Sequence, residues 1–344
     1  MDPDDDQERA TARLLDYYQH TAARACAQFA RQTRAAPATA PGAVPDTVPA
    51  AVPGLADGEQ ALAWARTERA SLLACLDHAA ATGQHARVTA LTAGLAGLLR
   101  LDGPWAEAIT RHQAAIGAAR HLGDRLGQAG ALHDLGYVRL LTGDYPAAVQ
   151  ALEKALGLYR DLGDRLGQAN TLLDLGVMRR ATGDYPAAVQ ALEKALGLYR
   201  DLGDRLGQAG ALLYLGTVRR ARGDYPAAAQ ALEQALAIYR DLGNQGGEAE
   251  ALNERGTLYR VSGDLARAEG CHRQALDLAR QISSSWDEAH ALAGLGRCAL
   301  AAGHATQAQA LLRQALEIFQ RTGAAEASDV SRELAALTEA GPPA

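Results

Sequence analysis

Apolar residues along most of this chain recur at the three-and-four spacing of an α-helix face rather than at the alternation of a strand. Ala169 to Arg200 is a clear instance. Leu172, Leu175, Gly176 and Arg179 share one helical face, and after a break at Thr182-Gly183 a second stripe runs through Ala188, Leu192, Ala195, Leu196 and Tyr199. The pattern predicts two helices joined by a short turn. Gly183 suits a left-handed helix end and Pro186 the first turn of the next helix. Gly163 and Gly203 close second helices, and Asp164 and Asp204 are placed to cap the first helices that follow.

The hairpin repeats. The string GDYPAAVQALEKALGLYRDLGDRLGQA from Gly143 to Ala169 recurs unchanged from Gly183 to Ala209. A near copy begins at Gly223, with looser copies at Gly103, Gly263 and Gly303, so the period is 40 residues without insertions. A fixed period of this size is the signature of an array in which each unit buries its apolar face against its neighbours. Before the array, Asp57–Thr82 reads as one helix with Leu62, Trp64, Leu72, Leu73 and Leu76 as core candidates. Ala86–Arg100 reads as the next helix, and Asp6–Arg31 as an earlier one with Leu14, Leu15, Tyr18, Ala22 and Phe29 near one face. Five prolines between Ala35 and Pro53 exclude a helix there and indicate a linker. Ser328–Glu339 fits an amphipathic cap through Val330, Leu334 and Leu337, ahead of a frayed Gly341-Pro342-Pro343 tail. The resulting organisation is 1–34 N-terminal helix, 35–56 linker, 57–88 helices opening the array, 89–322 six repeat units, and 323–344 cap and tail.

Composition narrows the functional classes. Of 344 residues, 48% are hydrophobic, mostly Ala and Leu, and only 5% aromatic, which favours an all-α protein. A net charge of −6 argues against binding nucleic acid or acidic membranes directly. Cys26, Cys75, Cys271 and Cys298 are scattered and form no C-x-x-C pair, so reduced buried thiols are expected. Acidic residues at positions 2, 4, 5 and 6 stand where a signal peptide would be basic, and a cytoplasmic location is expected. There is no H-E-x-x-H, no G-x-S-x-G and no G-x-x-x-x-G-K-[ST] motif, and neither Lys154 nor Lys194 follows a glycine. His112 and His272 fall at large core positions and read as structural. No enzyme, cofactor or metal is expected.

The small positions carry a family resemblance. Gly176, Ala188 and Ala195, with Leu172, Leu175 and Leu192 at the large positions, resemble the tetratricopeptide repeat. The set recurs at Gly136, Ala148, Ala155; Gly216, Ala228, Ala235; Gly256, Ala268, Ala275; and Gly296, Ala308, Ala315, with Ala96, Ala108 and Ala115 in a weaker first unit. The resemblance implies a right-handed α-solenoid of about six helical hairpins, with extra N-terminal helices and a C-terminal capping helix. The proline usual near the end of the family's second helix is absent, with Arg160, Arg200 and Arg240 in its place.

A second resemblance covers the flanks. RLLDYYQHTAARA, Arg13 to Ala25, is similar to the segment after the winged helix in actinobacterial regulators of the Streptomyces antibiotic regulatory protein type and in related multidomain signal-transduction ATPases. Ala63, Trp64, Glu68, Arg69 and Leu72, within Ala61–Val88, match the segment preceding the repeats of those proteins. This likeness implies a sensor or regulatory arm of a transcription regulator, whose partner is a protein or peptide, or its own nucleotide-switch domain. A self-associating scaffold and a quorum-type receptor for a small peptide or metabolite are the alternatives; the oligomeric state stays open.

First helices should line the concave face of such an array. Positions displaced from their core stripe are His133, Asp134 and Tyr137; Asn170, Asp174 and Arg180; Tyr214, Thr217 and Arg220; Glu250, Asn253, Glu254, Thr257 and Arg260; and His290 and Arg297. Many related arrays carry Asn where Asp134 and Asp174 stand. Arg180, Arg220 and Arg260 recur every 40 residues, either as a stripe for carboxylates or phosphates or as partners of Asp184, Asp224 and Asp264. Tyr145, Tyr185, Tyr225 and Trp105 read as packing between repeats, and Gln150, Glu153 and Lys154 as a solvated convex face.

Overall fold

The computed structural model describes residues 3–29, 54–55 and 57–339, and no strand occurs among them. The linker Ala35–Pro53 and the tail Gly341–Pro343 lie outside the described residues. Packing divides the chain into two units: Met1–Arg139 with Pro146–Gly167, and Leu140–Tyr145 with Gln168–Ala344.

The first unit holds α1 (Pro3–Phe29), α2 (Gly58–Thr67), α3 (Arg69–Ala81), α4 (His85–Asp102), α5 (Trp105–Leu122), and most of α6 (Arg125–Leu141) and α7 (Tyr145–Leu162). Helix α1 lies against α4, where two glycines admit its backbone closely. A Cβ at Gly94 would sit 3.0 Å from Ala22 Cβ, and one at Gly97 2.7 Å from the Phe29 ring. Leu15, Ala22, Ala25 and Cys26 are buried, Ala22 and Cys26 against those glycines and Ala25 in a cluster with Leu55 and Ala61. Leu14 is instead 51% exposed, because α1 turns Leu15 rather than its neighbour inward. The expected single helix Asp57–Thr82 is two helices. The break falls at Glu68, whose carboxylate accepts a 2.7 Å hydrogen bond from Tyr18 Oη of α1. In the α6/α7 hairpin, a Cβ at Gly136 would meet Leu152 Cγ at 2.6 Å.

The second unit holds most of α8 (Arg165–Ala181), then α9 (Tyr185–Leu202), α10 (Arg205–Ala221), α11 (Tyr225–Asp241), α12 (Gln245–Val261), α13 (Leu265–Gln281), α14 (Ser285–Ala301), α15 (Ala305–Thr322) and α16 (Glu326–Glu339). Each hairpin crosses at the same point. A Cβ at Gly176 would lie 2.5 Å from Leu192, one at Gly216 2.6 Å from Leu232, and one at Gly296 2.9 Å from Leu312. Nothing larger than glycine fits there while the leucine keeps its place. The alanines of the second helices, Ala188, Ala195, Ala228, Ala235, Ala268 and Ala275, are fully buried.

Punctuation follows the chemistry of the turns. Gly183 and Gly203 take left-handed φ values of +83° and +69°, which a side chain rarely adopts. Asp204 accepts from Gly207 N at 2.9 Å, and Asp184, Asp224 and Asp264 cap the second helices in the same way. Buried tyrosines close the hairpin joints: Tyr199 lies over Gly207 and Tyr239 over Gly247, where a Cβ would come within 2.2 and 2.3 Å of the ring. Tyr185 and Tyr225 do not pack in this way. Both stand at the solvent edge, Tyr225 39% exposed, since the hairpin joint is already filled by the tyrosine at the far end of the second helix. Trp105 is buried. All four cysteines are free and buried.

Candidate binding face on the first helices

Of the candidate positions, His133, Asp134 and Tyr137 lie in the first unit. His133 and Asp134 are buried, and Tyr137 carries the Arg100 guanidinium 3.6 Å from its ring centroid. Arg100 occupies the register of Arg180 two repeats earlier. Its Nε and one terminal nitrogen are buried without a hydrogen bond.

The remaining candidates lie in the second unit, and the structure sorts them into wall and face. Asn170, Asp174, Thr217 and Asn253 are buried, not open to a ligand as the sequence pattern suggests. Asn170 accepts a 2.6 Å bond from Tyr199 Oη. Thr217 donates to the Tyr214 carbonyl. Asn253 donates to the Asp287 carbonyl and faces His272 Nδ1 at 3.1 Å. Asn170 thus ties α8 to α9 and Asn253 ties α12 to α14 from within, while Thr217 bonds its own helix. Thr257, half-buried, spends its hydroxyl on the Asn253 carbonyl.

What remains at the surface is a strip of charge. Tyr214 Oη donates to Glu250 at 3.0 Å, and Arg220 pairs with Glu254 at 3.0 Å, so α10 grips α12 twice. Arg297 forms a fork on Glu333 of α16 at 2.8 to 3.2 Å. His290 stacks between Trp286 and Phe319, with Glu326 of α16 at 3.9 Å. Thus α16 lies against the next first-helix position and its Glu333 satisfies Arg297. Glu333 was not legible as a site residue, because nothing in the sequence of a cap announces which face it covers.

Arg180 and Arg260 are different. Among the described residues neither forms a hydrogen bond or ion pair through its side chain, and Arg180 Nε is buried. The expected pairing with Asp184, Asp224 and Asp264 does not form: those carboxylates cap helices. Burial, then the nearby Arg297 and Arg220, hold the Arg260 guanidinium below its ordinary range.

The reason for the alternation lies one helix along. Arg220 reaches Glu254, 34 residues on. The same offset brings Arg180 to Tyr214, already committed to Glu250, and Arg260 to Gly294. Gly294 is glycine because His272, at the position of Leu192 and Leu232, stands against it: a Cβ there would lie 2.3 Å from the imidazole. His272 is 1% exposed, and burial pushes its pKa down to about 4.

A cavity of about 310 Å³ lies on the other side of these helices, among Glu193, Leu196, Leu212, Arg219 and Gln234. Its charges answer each other, Arg219 lying 3.8 Å from Glu193. Among the described residues, no cluster of His, Cys, Asp and Glu could hold a metal ion, and no helix is long and apolar enough to cross a membrane.

Several solved structures share this architecture. A Rap protein complexed with competence and sporulation factor aligns over 74% of this chain and 76% of its own, at 16% identity and a TM-score of 0.57. NprR in complex with its cognate peptide NprX aligns over 74% and 72%, at 11% identity and a TM-score of 0.58. Aspartyl phosphate phosphatase F from Bacillus subtilis aligns over 82% and 75%, at 11% identity and a TM-score of 0.52. At such identities the likeness is one of fold. No curated protein matches the chain. The tetratricopeptide repeat, in contrast, matches directly in sequence over 86–161, 162–241 and 247–321. Together with the glycine–leucine crossings of successive hairpins, that match makes this chain a member of the tetratricopeptide-repeat family.

Proposed function

We propose that the chain is a binding module for a protein or peptide segment, which it takes on the first-helix face of α8, α10, α12 and α14. The observation that carries this reading is the half-exposed polar strip of Arg180, Tyr214, Arg220, Glu250, Glu254 and Arg260 on helices whose opposite sides are buried. Polar groups held on rigid elements cost little ordering when a partner docks. Of the similar folds, NprR was solved with its cognate peptide and the Rap protein in complex with competence and sporulation factor, which supports the same reading. The likeness of Arg13–Ala25 and Ala61–Val88 to regulator segments supports a further step: a cytoplasmic sensor arm that biases a transcription regulator, with no catalysis of its own.

Peptide-display selection on the immobilised full chain tests the module. Enriched peptides should bind the native protein and lose at least tenfold in affinity to Tyr214→Ala/Glu250→Ala, while Gln230→Ala on the second-helix side binds as the native chain does. Peptides indifferent to the face variant, or no enrichment at all, would overturn the proposal.

A further inference from the structure

The first-helix strip holds two kinds of arginine, those that bond an internal carboxylate and those that bond none. Arg220 has Glu254 and Arg297 has Glu333, whereas Arg180 and Arg260 have no side-chain partner among the described residues. A half-buried guanidinium without a hydrogen-bonded acceptor is unusual, because its donors lose water without gaining one; Glu333, whose charge reaches Arg260, is bonded to Arg297. The molecule itself shows which chemistry satisfies such an arginine: in the same register Arg220 takes Glu254, and three residues off that register, where position 300 is leucine, Arg297 forks onto Glu333. The absence of a partner at Arg260 is also built in, since Gly294 must stay small beneath His272.

We infer that Arg180 and Arg260 are the two carboxylate sites of this face, and that they take one extended peptide segment bearing two acidic side chains, one for each arginine. This rests on the proposed binding module and names its ligand class. Arg180 on α8 and Arg260 on α12 are separated by α10, and the three helices pack in succession: Leu173 of α8 would lie 3.8 Å from a Cβ at Gly210 of α10, whose Tyr214 and Arg220 grip α12. Two steps of about 8–10 Å each give roughly 16–20 Å between the sites. An extended chain rises about 3.3 Å per residue, so the two acids should stand about five or six positions apart. The Arg220–Glu254 pair between them leaves the middle of the segment without a charge requirement.

The test uses twelve-residue peptides displayed against the full chain and counter-selected on Arg180→Gln/Arg260→Gln. Neither side chain has a partner to lose, so the variant should melt within a few degrees of the native protein. The expected result is enrichment of Asp or Glu pairs five or six positions apart. Glutamate-to-glutamine versions of the winners should bind at least tenfold more weakly, as should the native peptides on either single Arg→Gln variant. Winners without acidic pairs that still lose affinity to Tyr214→Ala/Glu250→Ala would overturn this inference and leave the module standing. Winners indifferent to both sets of variants, or no winners, would overturn both. A variant that fails to fold would overturn it as well, by showing that the two guanidiniums are structural.

Discussion

Hairpins α10/α11 and α12/α13 share one backbone solution and fill it with different chemistry. In the first, Gly216 crosses Leu232, and Tyr239 lies over Gly247. In the second, Gly256 crosses His272, and the tyrosine becomes Ala279 while the glycine becomes Asp287, buried and bonded to Ser284. The substitutions come in compensating pairs, a small residue opening space for a large one next door. The comparison teaches that the repeat constrains volume at each joint more tightly than polarity. It also teaches that a change in the core reaches the surface: the imidazole at 272 requires glycine at 294, and that glycine leaves Arg260 without the glutamate that Arg220 enjoys.

Acid should separate the two hairpins most strongly. The pKa of His272 is about 4 in the folded chain, below its ordinary 6.5, so the unfolded chain binds more protons between those values. Stability contributed by the neutral imidazole is present above pH 6.5 and withdrawn as the pH falls to about 4, by roughly 3 kcal/mol. Asn253→Leu/His272→Leu, which copies Leu213 and Leu232, should remove that component. Urea denaturation at pH 7 and pH 4.5 checks it: equal pH losses in the native and double-variant chains would show that the imidazole does not titrate in this way.

Glycine replacement sharpens the volume argument next. Gly216→Ala forces a Cβ to 2.6 Å from Leu232 and should destabilise by about 1–3 kcal/mol. Gly197→Ala, on the exposed side of α9 with nothing near its Cβ, should stabilise by about 0.5–1 kcal/mol. Opposite signs in thermal melts are the expected outcome, and equal signs would remove close packing as the reason for the small positions. Asp204→Ala, which deletes the cap on Gly207, should cost about 1 kcal/mol. The smallest effect belongs to the exposed pair Arg205–Asp241 at 3.0 Å, whose loss in Arg205→Gln should change stability by less than about 0.5 kcal/mol.

The repeat made much of this architecture legible. Gly176, Ala188 and Ala195 sit where their size demands, and Asp204 caps as its position after Gly203 implies. Local chemistry decides such features, so one chain displays them. The break at Glu68 was hidden, since every residue around it is compatible with a helix and its partner, Tyr18 of α1, lies 50 residues away. The face was half legible. Its arginine register was plain, but Asn170, Asp174, Thr217 and Asn253 point one step inward, a rotation that depends on the neighbouring helix. The partners of Arg220 and Arg297 lie 34 and 36 residues away, on elements whose approach periodicity does not specify.

The link from core to face can be measured by a double-mutant cycle of His272→Leu and Gly294→Glu, read by urea denaturation at pH 7. Gly294→Glu alone places a Cβ 2.3 Å from the imidazole and should destabilise by about 1–3 kcal/mol. With His272→Leu, which restores the Leu232–Glu254 arrangement, the glutamate should fit and pair with Arg260, giving a favourable coupling of about 1–3 kcal/mol. Costs that add to within about 0.5 kcal/mol would contradict the account, because the imidazole would then not be what keeps a carboxylate away from Arg260.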